Sequence, residues 1–394
     1  MTSDSVSTGQ EEPDSGINTP SDLQEADPEP QIVTPEALAA RRTNRRRWGI
    51  AIFAAVIAAI VAAMFLVRLP YYVIQPGSVR PSEQRIHISG AKSFESPGKV
   101  MFTTVYIDQA TPALLIRAWF DSAAEVESKD EMYPDGDRKA ARQENIALMD
   151  SSKLLATKVA LSEVGIKADF GGSGAQVISV SDDSPSKGIL QPGDVITEVD
   201  GGEVSMPSDI GKELSDRKPG DTVTLVVERP SRSKPDSPVR KELKVKLGAA
   251  GDDAEDDDPN RPVVGIQAQP SDLRVVSDVE VDVDSGTVTG PSAGLAWTLA
   301  IIDRLTPGSL TRGRDIAVTG EIRADGTVGP IGGVEQKVSA VKRAGIKVFI
   351  FPAATPKSAQ AAMRRVAGDD VALYPVANIE EAVKVLNPDG IGRP

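Results

Sequence analysis

The stretch Val288–Leu299, V-T-G-P-S-A-G-L-A-W-T-L, decides how this chain is read, and Gly329–Lys337, G-P-I-G-G-V-E-Q-K, completes it. Gly290 and Pro291 lead into Ser292, so the serine falls in the first turn of an amphipathic helix expected over Pro291–Arg304. Proline is tolerated at that position, and the unpaired N–H groups and dipole of a helix start favour developing negative charge. An oxyanion requires donors of that kind. A serine is a poor nucleophile without a base to take its proton. The only histidine, His87, lies far along the chain from both motifs, so a Ser-His-Asp triad or a histidine metal site would have to rest on it alone. The absence of cysteine excludes disulfides, thiolate zinc sites and a cysteine nucleophile. A neutral lysine is the natural alternative, provided burial lowers its pKa from about 10.4. Lys337 opens a helix expected over Val334–Ala344, on which Val338 and Val341 form an apolar side. Taken singly, the two residues also read as an ordinary helix-start serine and a solvated lysine.

The 394 residues are enough for two or three domains. Aromatics make up 4% of the chain, so the cores must be built from Val, Ile, Leu and Ala. The net charge of -13 is concentrated in two places. Residues 1–40 hold nine acidic side chains and no Lys or Arg, and Gly251–Asp258 holds six acids in eight positions. Both runs have little to bury and read as a disordered tail and an acidic linker. The remainder is close to neutral, so nucleic acid is not an expected partner.

Between the tail and the first strand lies R-R-T-N-R-R-R (Arg41–Arg47), then Trp48, then the uncharged run Gly49–Val67. At about 1.5 Å per residue this run spans about 28 Å, close to the hydrocarbon thickness of a bilayer. Trp48 on one side and Arg68, Tyr71 and Tyr72 on the other are interfacial anchors. Five arginines before the span against one after it place the N-terminus in the cytoplasm and the rest outside. The alternatives are a buried core helix, which would not be flanked this way, and a cleaved signal peptide, whose apolar region is shorter.

Residues 69–165 read as a small α+β region: strand-like runs from Pro70 to Asp108, then helices over Thr111–Asp121 and Asp137–Gly165. His87 alternates with Ile86 and Ile88 and is expected to face solvent. Ile146, Met149, Leu154, Leu155, Val159 and Leu161 give the second helix an apolar stripe suited to packing. In residues 166–247 the strand Ala175–Val180 leads to L-Q-P-G-D-V-I-T-E-V-D-G (Leu190–Gly201), in which Pro192-Gly193-Asp194 is a tight turn and Asp200-Gly201-Gly202 a hairpin turn. Strands follow at Thr222–Arg229 and Leu243–Leu247, around a polar insert at 230–238. This segment resembles a PDZ domain of the bacterial protease-associated type. The resemblance implies binding of extended peptide ends by strand addition, with backbone N–H groups capturing the terminal carboxylate. It implies a groove helix at Ser208–Ser215 and a capture loop before the groove strand, for which Val164, Gly165 and Ile166 are the candidates. A helix ending at Gly165 explains the same letters.

After the linker at 248–262, strands and helices alternate over 263–394: strands at Val263–Gln267, Val275–Asp284, Asp315–Glu321, Lys347–Phe351 and Val371–Pro375, and further helices at Lys357–Val366 and Ile379–Leu386. This is the pattern of a compact α/β domain. G-P-S-A-G, T-G-E-I (Thr319–Ile322) and G-x-V-x-P-I-G-G-V-x-x-K occur here in order, and together they closely resemble the proteolytic domain of the Lon family. The resemblance implies a ribosomal protein S5 domain 2-like fold and a Ser-Lys dyad, with Ser292 as nucleophile, Lys337 as base and Thr319 bonded to the lysine. Gly290 and Pro291 are the supporting turn. The whole layout resembles the membrane-anchored, PDZ-containing Lon-like proteases of the YlbL type. It implies protein or peptide substrates, no cofactor, no metal and assembly into homo-oligomers. Two departures stand out. No G-x-x-x-x-G-K-[ST] loop occurs, so no ATPase motor is expected, and Thr289 stands where many ATP-dependent members have Asp. Two other readings compete: a non-catalytic membrane scaffold that keeps the fold for binding, and a small-molecule kinase that uses G-P-S-A-G as a phosphate turn.

Overall fold

The computed structural model describes residues 35–134, 136–231, 237–250 and 258–390. The acidic tail up to residue 34, the heart of the polar insert (232–236) and most of the acidic run (251–257) lie outside the described residues. Helix α1 (Pro35–Leu66) starts upstream of the expected span and takes in the arginine cluster. Its Arg47–Leu66 portion has a mean hydropathy of 2.8 and is long and apolar enough to cross a membrane. Ile50, Phe53, Ile57 and Ile60 are all exposed. A helix that is apolar all round belongs to a buried core or to a membrane, and none of this stretch is buried within the chain.

The rest of the chain forms one unit, Phe65–Pro394. It begins with β1 (Tyr71–Pro81), β2 (Ile86–Ser89), β3 (Val100–Gln109), α2 (Pro112–Trp119), β4 (Glu125–Ser128) and the long α3 (Arg138–Glu163). The middle holds β5 (Asp169–Gly171), β6 (Gly174–Val180), β7 (Val195–Val199), α4 (Pro207–Glu213), β8 (Thr222–Arg229) and β9 (Val239–Lys246). Then come β10 (Ile266–Ser271), β11 (Arg274–Val276), β12 (Glu280–Val283) and α5 (Gly294–Leu305). The chain closes with β13 (Ile316–Val318), β14 (Glu321–Ile322), β15 (Val328–Gly329), α6 (Val334–Arg343), β16 (Val348–Pro352), α7 (Lys357–Ala367), β17 (Ala372–Val376) and α8 (Ile379–Leu386).

The main sheet has the order β17-β16-β13-β3-β1-β4. β17, β16, β13 and β3 run parallel, and β1 and β4 add antiparallel at the other edge. Side-chain alternation divides it cleanly. Val100, Phe102, Ile316, Val318 and Ile350 enter one core with α3, α5 and α8, whereas Ala317, Phe349 and Phe351 enter a second core with α6 and α7. The result is a three-layer α/β sandwich with the sheet buried on both faces.

This corrects the expectation that 69–165 is a separate small region. Its strands β1, β3 and β4 are half of the main sheet, and Ala156, Val159, Ala160 and Leu161 of α3 share a core with Leu295, Trp297 and Leu299 of α5. Val100 and Phe102 are fully buried, a state their own neighbours in sequence could not provide.

The second sheet, β9-β8-β7-β6-β10, forms the middle domain with α4 against it. Its last strand was expected to belong to the following domain. β10 pairs antiparallel with β6, and β11 continues the ladder on β5, so the middle domain is an insertion joined to the sandwich by a two-stranded ribbon. The expected single strand Val275–Asp284 is consequently two: β11 faces β5, and β12 pairs with β2, where His87 sits exposed opposite Asp282.

The turn Pro192-Gly193-Asp194 has a structural function. Asp194 is fully buried and takes a two-point bond from Arg229, Nε to Oδ1 and Nη2 to Oδ2, both at 2.7 Å. The Gln191 N–H donates to the same carboxylate at 3.0 Å. Replacing Asp194 with Ala strands a largely buried guanidinium and is expected to destabilise the inserted domain by about 3 kcal/mol, read by denaturant unfolding. Unchanged stability would contradict this role.

Candidate active site

The G-P-S turn is a 3-10 turn, Pro291–Ala293, from which α5 starts at Gly294, three residues later than the expected start of the helix. Gly290 precedes it with φ 88°, a conformation that favours glycine. Four contacts hold the turn. The Gly290 N–H donates to the Asn145 carbonyl at 2.8 Å. The Ser152 hydroxyl donates to the Pro291 carbonyl at 3.2 Å. The Ser292 carbonyl accepts from the Gly320 N–H at 2.9 Å and from Thr319 Oγ1 at 3.0 Å. Gly294 is required by closeness: a Cβ there would lie 2.7 Å from Ser152 Oγ and 3.0 Å from the Ile322 N.

Asn145 and Ser152 both belong to α3, whose stripe was read as packing alone. No sequence signal near the motifs points to them, because they lie on the far side of the inserted domain. Of the expected stripe, Met149, Val159 and Leu161 are buried, whereas Ile146 is exposed.

Lys337 sits one turn into α6 and is 2% exposed. Its Nζ donates to Thr319 Oγ1 at 3.0 Å, and that hydroxyl spends its own proton on the Ser292 carbonyl. The polarity of this chain is therefore fixed. The amine must donate to Thr319, which leaves the nitrogen lone pair free to point elsewhere when Lys337 is neutral. Burial pushes the Lys337 ammonium down to about 7, although the nearby Glu321 carboxylate opposes the shift. The expected strand Asp315–Glu321 breaks at Thr319-Gly320, with Gly320 at φ 151°, and the break presents the Thr319 hydroxyl to the lysine. Ser292, Thr319 and Lys337 thus converge through the serine main chain. Among the described residues, no hydrogen bond joins Ser292 Oγ to Lys337 Nζ.

A cleft of about 620 Å³ runs beside the turn. Arg142, Ile146 and Lys153 of α3 form one wall, and Asp284, Thr287 and Thr289 form the other. It ends at the residue before Gly290. Among the described residues, no group of three or more His, Asp or Glu side chains is placed to hold a metal ion.

The expected capture loop is used differently. The Val164 N–H donates to the Ala160 carbonyl, Gly165 to Ser162 and Ile166 to Leu161, with Gly165 at φ 80°. This is a helix-ending Schellman motif. All three N–H groups are committed to the end of α3, and Val164 is buried in the sandwich core, so this loop has no donors left for a carboxylate. One edge of the second sheet is β10, the other β9. Val177 turns its N–H and carbonyl toward β7, bonding to Asp194 and Gly193. Its partner Ala268 therefore turns its own backbone groups outward.

Residues 266–387 match the family model of the Lon protease (S16) C-terminal proteolytic domain, and residues 149–247 match the PDZ domain model. The chain is 34% identical over 116 residues to Lon protease of Buchnera aphidicola, and 36% over 111 residues to Lon protease of Chloroflexus aggregans. These alignments cover 29% and 28% of this chain, and it spans only 14% and 13% of the relatives' length. Among solved structures, the PDZ domain of the SdrC-like protein from Listeria monocytogenes matches with 27% identity and a TM-score of 0.20, over 24% of this chain and 87% of that one. The chain carries a PDZ domain and a Lon-type proteolytic domain.

The buried amine has a thermodynamic signature. The folded-state pKa of about 7 lies below the unfolded value, so between pH 7 and about 10.5 the unfolded chain binds the extra proton and stability rises with pH. Lys337→Met removes this cost. The variant is expected to be more stable than the parent at neutral pH, by about 2 kcal/mol or more, with the gain fading toward pH 10. Thermal unfolding at several pH values reads it, and a variant destabilised throughout would count against a buried, readily neutralised amine.

Proposed function

We propose that this protein is an ATP-independent, membrane-anchored serine endopeptidase that works through a Ser292–Lys337 dyad, with its PDZ domain docking peptide ends or unfolded segments. The observation that carries the reading is the buried Lys337, held by Thr319 against the main chain of Ser292 and depressed to about 7. An amine so placed is a base in the neutral range, where an exposed lysine would be protonated.

In the reaction, the neutral Lys337 amine takes the Ser292 hydroxyl proton as Oγ bonds to the scissile carbonyl carbon. The resulting oxyanion is stabilised by backbone N–H groups of the 3-10 turn from Ser292 onward, since Pro291 has none and that of Gly290 is bonded to Asn145. The tetrahedral species collapses, the carbon–nitrogen bond breaks, and the leaving amine takes the proton from the Lys337 ammonium. Water then attacks the Ser292 ester with Lys337 again as base, releasing the acid and restoring the hydroxyl. Thr319 keeps the amine oriented throughout, and Glu321 tempers the pKa. The cleft between α3 and 284–289 leads an extended chain to the turn.

Several further features support the wider reading. The arginine cluster before the apolar span favours a cytoplasmic N-terminus and an extracytoplasmic catalytic domain. The chain has no phosphate-binding loop to power unfolding, which suits substrates that are already flexible. The outward-facing backbone of Ala268 beside α4 suits strand addition, and Pro270, which lacks an N–H, limits its length. By resemblance, the proteolytic domains associate into homo-oligomers.

Ser292→Ala and Lys337→Ala are each expected to lower kcat at least about a thousandfold, and the double variant to be no worse than either, because the pair acts as a unit. Ser292→Ala should also escape labelling by a serine-directed acylating probe. Undiminished cleavage of an unfolded substrate by Ser292→Ala would overturn the assignment. The parent's kcat/KM is expected to rise with pH through about 7, and Glu321→Gln to move that limb to lower pH.

A further inference from the structure

Aromatic residues are scarce in this chain, yet two adjacent ones stand almost wholly in the open: Trp119 is 88% exposed and Phe120 85%. They end α2, a helix of two distinct sides. Leu114, Leu115 and Ala118 pack inward on Val73, Ala110 and Leu69. Ile116, Trp119 and Phe120, at i, i+3 and i+4, form an outward apolar edge flanked by the exposed Arg117. Thr111 caps the helix by accepting from the Leu114 N–H at 3.2 Å, so its orientation is fixed by the fold.

The position of this edge along the chain indicates what covers it. The Leu69 N–H donates to the Ala110 carbonyl at 2.9 Å, and Gln109 Nε2 donates back to the Leu69 carbonyl at 3.2 Å. Ala110 lies two residues before α2. Only Val67 and Arg68 separate Leu69 from Leu66, the last residue of the apolar helix, a reach of about 10 Å. If that helix crosses a bilayer, Leu69 lies within about 10 Å of where it leaves the hydrocarbon, and its bond to Ala110 ties the chain there two residues before α2 begins. The interfacial zone of headgroups begins there, and Trp, Tyr and Arg are enriched in it. Tyr71, 44% exposed, lies two residues past the tether.

Resting on the membrane-anchored reading above, we infer that the Ile116–Trp119–Phe120 edge of α2 is a second membrane contact, seated in the headgroup layer of the leaflet from which the span emerges. α2 is an interfacial helix whose apolar side inserts shallowly while Arg68 and Arg117 meet anionic headgroups. The proteolytic domain is then held against the surface at a set orientation, and does not swing on a free stalk.

Trp119 reports on this directly. The full chain with Trp48→Phe is reconstituted into phosphatidylcholine–phosphatidylglycerol vesicles whose acyl chains are plain or brominated, and emission is compared with the Trp48→Phe, Trp119→Phe protein. The second protein retains only the fully buried Trp297. The Trp119 share of emission is expected to fall roughly twofold or more with bromine, the signature of a shallowly inserted ring. Emission from Trp297 should not change. Because the chain contains no cysteine, Trp119→Cys adds a single thiol for oxidative cross-linking. Protein that floats with the vesicles, shows no bromine effect and cross-links between copies at position 119 would overturn the inference in favour of a subunit interface. Anchored protein with neither effect would overturn it in favour of a solvated edge. Protein that fails to float at all would remove the anchored reading itself, and this inference with it.

Discussion

The structure depends on an amine that water would bind far better than the protein does. Lys337 is placed among Val334, Val338 and Val341 on the buried side of α6, with a single threonine hydroxyl as hydrogen-bond partner. An ammonium there is costly, and the fold answers by letting the group lose its proton near neutrality. Everything around it serves to keep that position from relaxing. Gly333, in the left-handed region at φ 66°, starts α6 against β3, where a Cβ would lie 2.9 Å from Val105 Cγ1. Gln336 on the next turn donates to Glu125 of β4 at 3.2 Å. The helix that carries Lys337 thus packs against β3 and is bonded to β4 and to Thr319, and the destabilising burial is offset by a sheet covered on both faces.

The Ser292 turn is held from elsewhere. It is fixed on one side by Asn145 and Ser152 of α3 and on the other by the Thr319-Gly320 break. The helix α3 runs directly into β5, and the opposite wall of the cleft follows β11 and β12. The two strands that lead into and out of the PDZ insertion therefore continue into the two walls beside the active turn. A peptide added to β10 would bear on the same ribbon. In this arrangement the docking domain is spliced between the walls of the cleft, a closer relation than that of beads on a string.

Much of the site could be read in the sequence, because its chemistry is carried by short, ordered motifs. Ser292, Thr319 and Lys337, picked out by short motifs, are joined by a connected hydrogen-bond chain through the Ser292 carbonyl. The long-range structure could not be read in the same way. Val100 and Phe102 read as strand residues, but nothing local says that their partner is Ile316–Val318, more than two hundred residues later. Asn145 and Ser152 are ordinary helix residues until α3 is laid across α5. The Glu163–Ile166 stretch shows how two mechanisms can share one spelling. A carboxylate-capturing loop and a Schellman end both call for glycine after a helix-like run, and they differ only in where three N–H groups point. The observed pairing with Ala160, Ser162 and Leu161 separates the two.

The same sheet also connects Lys337 to the start of the folded unit. β1 begins five residues after the apolar helix ends, runs beside β3 and is overlaid by α6. Tyr72 and Val73 at its start are buried, and the strand's register on β3 continues to Pro81. A rigid strand transmits position along its length, whereas a flexible linker of the same length would not. The lysine helix thus rests on strands whose first residues are tied to Ala110 and, through it, to the exposed aromatic edge of α2. Lys337 therefore lies on a helix packed against the strand that opens the folded unit, and β1 carries that position unbroken from Tyr71 to Pro81.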